Sequence, residues 1–245
     1  MRRPPLFWLM KTPVVFENLN IAGRPCAICR AEAPRYLLIQ PADDHDLEGL
    51  RRQAETMAEQ IEAPFLLAAF RIERWFSELS PWDAPAVFGR EPFGHGAPET
   101  LEYIRRLLPE LASRYAIPPT APVILGGYSL AGLFALWAAC QTDAFAAVAA
   151  ASPSVWFPGW IDYARSHRMM ANHVYLSLGD REERARNPVM ATVGRCVREQ
   201  YDILKDILGA QDCALEWNEG NHFRDPDIRC AKAFAWCTGR MEHSS

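Results

Sequence analysis

The sequence predicts an α/β fold: a mostly parallel central sheet with helices on both faces and an antiparallel pair at its N-terminal edge. Three observations carry this expectation. Short apolar runs alternate along the chain with longer segments of helical periodicity. Between residues 123 and 140 one such run passes through a tight glycine turn, ending on a serine, straight into an apolar helix. Finally, the residues fit for chemistry fall just past strand ends, where open parallel sheets bind their ligands.

Size and charge narrow the function. A chain of 245 residues with a hydrophobic share of 49% suits one domain spanning 1–245 with a large core. With 26 basic and 30 acidic residues interspersed, the formal charge is -4 and no basic stripe suggests nucleic acid, so a small-molecule partner is expected. The opening MRRPPLFWLMKTP is broken by Pro4, Pro5 and Lys11 well short of a signal-peptide core or membrane span, which points to a soluble cytoplasmic protein with no membrane partner. The seven cysteines are scattered through apolar segments, as buried free thiols would be. Cys26 and Cys29 form a C-x-x-C, but in a strand-like run with no second pair, so neither a redox thiol nor a zinc site is expected.

Taken in order, residues 12–33 alternate loosely, with turn signals at Asn18, Asn20 and Gly23, and read as the antiparallel edge pair. RYLLIQP at 35–41 is a buried parallel strand ending at proline. The acidic DDHD at 43–46 offers metal-ligand types around His45, yet its place directly before a helix is explained better by N-capping and the helix dipole. PFLLAAF at 64–70 is the next strand.

Residues 71–97 lack periodicity and carry Trp75, Phe76, Trp82, Phe88 and Phe93 among prolines and glycines, the composition of an ordered functional loop. Because it follows a strand end, it is expected to wall a pocket, with Trp75, Trp82, Phe93, Tyr128 and Trp156 as candidate pocket residues. The alternative is that these aromatics only anchor the loop. A helix over 98–115, an alanine-rich strand after residue 144, a strand HVYLSLG running into carboxylates, a helix over 188–208 capped by Asn187 and stopped by Gly209, a strand ending before His222, and a helix over 226–236 complete the pattern.

The turn GGYSLAG reads as a nucleophile elbow, with small residues at Gly127, Ala131 and Gly132 leaving Ser129 exposed on a strained backbone. Its second small residue is Ala131 where glycine is usual. Alone, the motif leaves Ser129 as either a helix cap or a nucleophile. What decides is that Ser129, an acidic cluster (Asp180, Glu182, Glu183) and His222 follow three different strands in the order serine, acid, histidine, the triad order of this fold. An imidazole accepts the serine proton and a carboxylate holds the imidazole in the right tautomer. The developing oxyanion needs two donors. The Leu130 amide at the helix start is one, and Gln40 or Ala42 is the candidate for the second, since Pro41 has no N–H.

GGYSLAGLFAL, ASPSVWF and EGNHF resemble the putative-esterase family of α/β-hydrolases, which includes enterochelin-type siderophore esterases, feruloyl esterases, S-formylglutathione hydrolase and the mycolyltransferases. The resemblance runs from Arg35 onward and implies an α/β-hydrolase fold and a serine hydrolase that needs no metal or cofactor and acts on a small-molecule ester. It implies Ser129 as nucleophile and His222 as base, and it favours Glu182 over Asp180 as acid. The long N-terminal binding domain of the larger enterochelin esterases is not expected here. Acyl transfer by the same acyl-enzyme, and a silent hydrolase fold used for binding, are the competing readings.

Overall fold

The computed structural model describes residues 15–87 and 89–243. The N-terminal reading over 1–14 and Phe88 of the aromatic loop lie outside the described residues. β1 (Val15–Ile21) and β2 (Arg24–Arg30) form an antiparallel hairpin that turns at Ala22 and Gly23, both at positive φ (50° and 89°). Asn18 and Asn20, expected in turns, instead pair within β1 opposite Ala27 and Pro25. They lie on the exposed side of an edge strand, where a polar side chain costs little.

β3 (Tyr36–Ala42) is buried throughout and runs one residue past Pro41. The proline is tolerated because pairing with β5 (Val123–Tyr128) stops at Ile39, so the missing N–H removes no ladder bond on that side. α1 (Asp44–Gln60) starts in a capping box, Asp43 accepting from the Asp46 amide at 2.8 Å and Asp46 from the Asp43 amide at 3.3 Å. The acidic DDHD run is thus a helix start. Among the described residues no group of three or more His, Cys, Asp or Glu could hold a metal ion.

β4 (Phe65–Arg71) leads into the aromatic segment, which contains the short helix α2 (Trp75–Glu78) and a bridge between Ala84 and Phe93. Next come α3 (Ala97–Arg114), β5, α4 (Leu130–Ala138), β6 (Ala147–Ala151), α5 (Trp160–Ser166) and β7 (His173–Gly179). α6 (Val193–Leu208) begins later than expected, because the Asn187 side chain caps a preceding 3-10 turn through the Val189 and Met190 amides. After β8 (Cys213–Asn218), α7 (Pro226–His243) runs past Trp236, since Cys237, Thr238 and Met241 prolong its buried stripe.

The eight strands lie in the order β1-β2-β4-β3-β5-β6-β7-β8, parallel from β4 to β8 and antiparallel at the β1–β2–β4 edge. α1 and α7 cover one face, and α3, α4, α5 and α6 the other, each over its own apolar core. Cys26 and Cys29 sit in these two different cores, because residues three apart on a strand point to opposite faces. They cannot act together, and burial pushes the Cys29 thiol up to about 12. No helix among the described residues is long and apolar enough to cross a membrane.

β5 is the strand on which both layers meet. A Cβ at Gly126 would stand 2.6 Å from the Phe234 ring of α7 and 2.8 Å from Ala149 of β6, so this position admits only glycine without rearrangement. Gly126→Ala should therefore lower stability by about 1–3 kcal/mol through overpacking. Urea unfolding checks this, and a change below about 0.5 kcal/mol would mean that α7 can retreat from the sheet.

Candidate active site

The turn between β5 and α4 places Ser129 at φ 56° and ψ -118°, a conformation an L-residue avoids at a cost of about 1–3 kcal/mol. Bonds from the sheet, the helix and the loop after β6 hold it there. The Ser129 amide donates to the Ala151 carbonyl (3.1 Å), and the Ser129 carbonyl accepts from the Leu133 amide (3.1 Å) and the Ser154 amide (3.0 Å). Sequence explains how the turn fits: a Cβ at Gly127 would lie 2.6 Å from the Ala131 Cβ. Glycine at 127 therefore makes room for the methyl group at 131, and the departure from the usual second glycine is accommodated.

His222 lies in the β8–α7 connection, with Nε2 3.0 Å from Ser129 Oγ and Nδ1 2.7 Å from Glu182 Oε2. Burial by itself would raise the Glu182 carboxyl, but the hydrogen bond and charge of His222, the Gly179 amide (2.7 Å) and the Ser152 hydroxyl (2.8 Å) outweigh it and hold the group below its ordinary value. Glu182 is therefore an acceptor, Nδ1–H donates to it, and Nε2 is left to accept the Ser129 proton. Ser129 Oγ then has only lone pairs to offer Ser154 Oγ at 3.2 Å, so Ser154 is the donor in that contact. Hydroxyl, imidazole and carboxylate in this series can pass a proton off the serine as its oxygen attacks an electrophile.

The other two acids have separate partners. Asp180 Oδ1 accepts the Gly220 amide at 2.8 Å, and Glu183 forms a two-pronged pair with Arg198, both bonds 2.9 Å.

Around Glu182 stand two residues that sequence reasoning missed, Arg229 and Ser152. Arg229, 2% exposed, donates through Nη1 to Glu182 Oε1 (2.9 Å), Tyr128 Oη (3.0 Å) and Ser152 Oγ (3.1 Å). Its Nη2 donates to the carbonyls of Glu219 (3.2 Å) and Asn221 (3.0 Å). The signal available was positional: Arg229 falls on the same stripe of its helix as Ala233 and Cys237, and a charge on an apolar stripe calls for a buried partner.

The backbone donors fall differently from expectation. The Leu130 amide opens α4 and has no intrahelical acceptor. On β3, however, the Leu37 amide donates toward β5, to Pro122, and the Ala42 carbonyl accepts from Ile72 on the β4 side. Since successive amides alternate, those of Gln40 and Ala42 face β4, and the position facing the elbow strand is Pro41, which has no N–H. The Gln40 side chain is engaged by Gln53, whose Nε2 donates to it at 2.7 Å.

Of the expected pocket residues, Tyr128 is brought to His222: the rings lie 5.1 Å apart and the phenol donates to the His222 carbonyl at 2.8 Å. Trp82, Phe93 and Trp156 instead gather with Phe157 in a packed cluster, Trp82 donating its indole N–H to the Pro158 carbonyl at 2.9 Å. Trp75 is half-buried against the same core. These contacts tie the 71–97 segment to the stretch after β6, the anchoring role weighed as the alternative. A cavity of about 480 Å³ beside the exposed Phe223 is lined by polar groups, including Gln40, Gln53, Arg52 and Asp225, and not by the loop aromatics.

The model of a family described as "Putative esterase" matches residues 53–222. Among solved structures, the chain is similar to the siderophore hydrolase EstB from Aspergillus nidulans, at 16% identity over 96% of each chain and a TM-score of 0.67. It is similar to an IroE-like serine hydrolase from Shewanella oneidensis, at 16% identity over 91% of this chain and 79% of that one, TM-score 0.67. A third likeness is to the enterobactin esterase FES from Shigella flexneri, at 13% identity over 95% of this chain and 60% of that one, TM-score 0.63. No curated protein sequence matches the chain. The fold is that of the α/β-hydrolases, as the sequence led us to expect.

Glu182→Gln leaves the Arg229 charge buried without its counter-ion and should cost about 3 kcal/mol near neutral pH. Because the folded-state carboxyl lies below its ordinary value of 4.5, its stabilisation is present above that value and is lost as pH falls through the folded one. The gap between wild type and variant should thus narrow in acid, as urea unfolding near neutral pH and at about pH 3 would measure; a constant gap would refute the charge argument.

Proposed function

The chain belongs to the putative-esterase family, and from that premise we propose that it cleaves carboxylic esters through an acyl-enzyme formed on Ser129. The observation that carries the reading is the series Ser129 Oγ, His222 and Glu182, joined at 3.0 Å and 2.7 Å. His222 Nε2 takes the Ser129 proton as Oγ attacks the ester carbonyl, and Glu182 stabilises the imidazolium that results. The Leu130 amide donates to the oxyanion, and the Ser154 hydroxyl holds Oγ facing Nε2 in the resting state. His222 then returns the proton to the leaving alcohol, and water, activated by the same imidazole, releases the acid and regenerates the serine.

The single sheet supports reading the chain as one catalytic domain, with the 71–97 segment packed onto the stretch after β6 through the Phe93–Trp156 contact. Neighbours named for siderophore and enterobactin cleavage are 16% and 13% identical, which supports the shared fold and leaves the substrate class at a small-molecule carboxylic ester.

Ser129→Ala and His222→Ala should each reduce ester turnover by about 10⁴-fold or more while the protein stays folded. Intact-mass analysis after treatment with a fluorophosphonate should find one adduct on the wild type, mapped to Ser129, and none on either variant. Turnover that survives Ser129→Ala would refute the acyl-enzyme route.

A further inference from the structure

We infer that Arg229 is a positioning residue of this site, a buried guanidinium that aims Glu182 at His222 and fastens the loop bearing His222 to the elbow strand. The inference rests on the hydrolase reading above and assigns a role to a residue outside the serine, histidine and acid.

The geometry is that of a hub. Arg229 is contributed by α7, yet its four Nη hydrogens reach groups on four other segments: Tyr128 next to Ser129, Ser152 after β6, Glu182 after β7, and the carbonyls of Glu219 and Asn221 just ahead of His222. Glu182 has two oxygens. Oε1 is saturated by Arg229, Ser152 and the Gly179 amide, which leaves Oε2 as the oxygen that meets Nδ1. The carboxylate is thereby locked in rotation about its last bond, and the imidazole cannot swing toward Oε1. Tyr128 extends the brace, accepting from Arg229 while donating to the His222 carbonyl at 2.8 Å. Space around the hub is exhausted: a Cβ at Gly179 would come within 3.0 Å of both Arg229 Nη2 and Glu182 Oε1, and 2.4 Å from the Gly220 carbonyl.

Charge adds a second consequence. Arg229 offsets the negative charge that Glu182 presents to His222. The remaining ionisable group packed on the imidazole is Tyr128, whose phenol burial pushes well above its ordinary range and which stays neutral. Lysine would keep the charge but lose the fork that binds Glu182 and two carbonyls together.

The test is the rate at which a fluorophosphonate labels Ser129, followed across pH, on wild type, Arg229→Met and Arg229→Lys, with circular dichroism checking the fold. Arg229→Met should slow labelling at least about tenfold, and the acid limb of its profile should move up by about one pH unit as the imidazole holds its proton longer. Arg229→Lys should also label at least about tenfold slower but keep the wild-type limb. A folded Arg229→Met with wild-type rate and limb would overturn the inference. If Arg229→Met does not fold, Arg229→Lys decides by its rate: slowed labelling upholds the role and wild-type labelling overturns it. Wild type that takes no label, or label that persists in Ser129→Ala, would instead sink the hydrolase reading on which the inference stands.

Discussion

The closeness with which two helices approach β5 governs this structure. Gly126 and Gly127 remove the side chains from consecutive positions of the strand, one on each face. The Phe234 ring of α7 takes the space at the first, and Ala131 of α4 the space at the second. Docking on one strand from opposite faces fixes where α4 begins and where α7 begins. The first start exposes Ser129, and the second, three residues after Pro226, supplies Arg229. Packing in the middle of the sheet is therefore what sets distances at the carboxyl ends of its strands. The small residues of β6, alanine at 147 and from 149 to 151, continue the same tight layer beside β5.

At those strand ends, electrostatics takes over from packing. A carboxylate as buried as that of Glu182 is tolerated only with its lone pairs engaged, and here a backbone amide, a hydroxyl, a guanidinium and an imidazole engage them. Satisfying the acid gathers segments from β5, β6, β7, β8 and α7. The polar network and the strained turn at Ser129 support one another, because Ser154 anchors the turn through its amide and meets Oγ through its side chain.

Much of this was legible in the sequence. Strand and helix alternation gave the sheet, and the order of Ser129, the acidic cluster and His222 along the chain gave the members that the structure brings together. What stayed hidden depends on direction. Spacing alone left Asp180, Glu182 and Glu183 open; the resemblance favoured Glu182, and the short 3-10 turn at Glu182–Arg184 is what turns that carboxylate inward to His222. Gln40 and Ala42 were reasonable donors until the neighbours of β3 were known, since only the pairing fixes the side an amide faces. Arg229 escaped because a charged residue in a helix is ordinarily read as solvated. The loop aromatics were recognised as ordered, but residue type does not separate a pocket wall from an anchor, and Trp82 and Phe93 make the contacts of anchors.

The order of the pieces along the chain also bears on synthesis. A ribosome delivers the elbow first, then Glu182, then His222, and the brace at Arg229 after all of them. Until Phe234 and Arg229 have emerged, the face of β5 that α7 will cover lies open. A nascent chain thus carries its serine for much of translation without a base beside it, so whatever reactivity the finished site has is withheld until the fold closes over it.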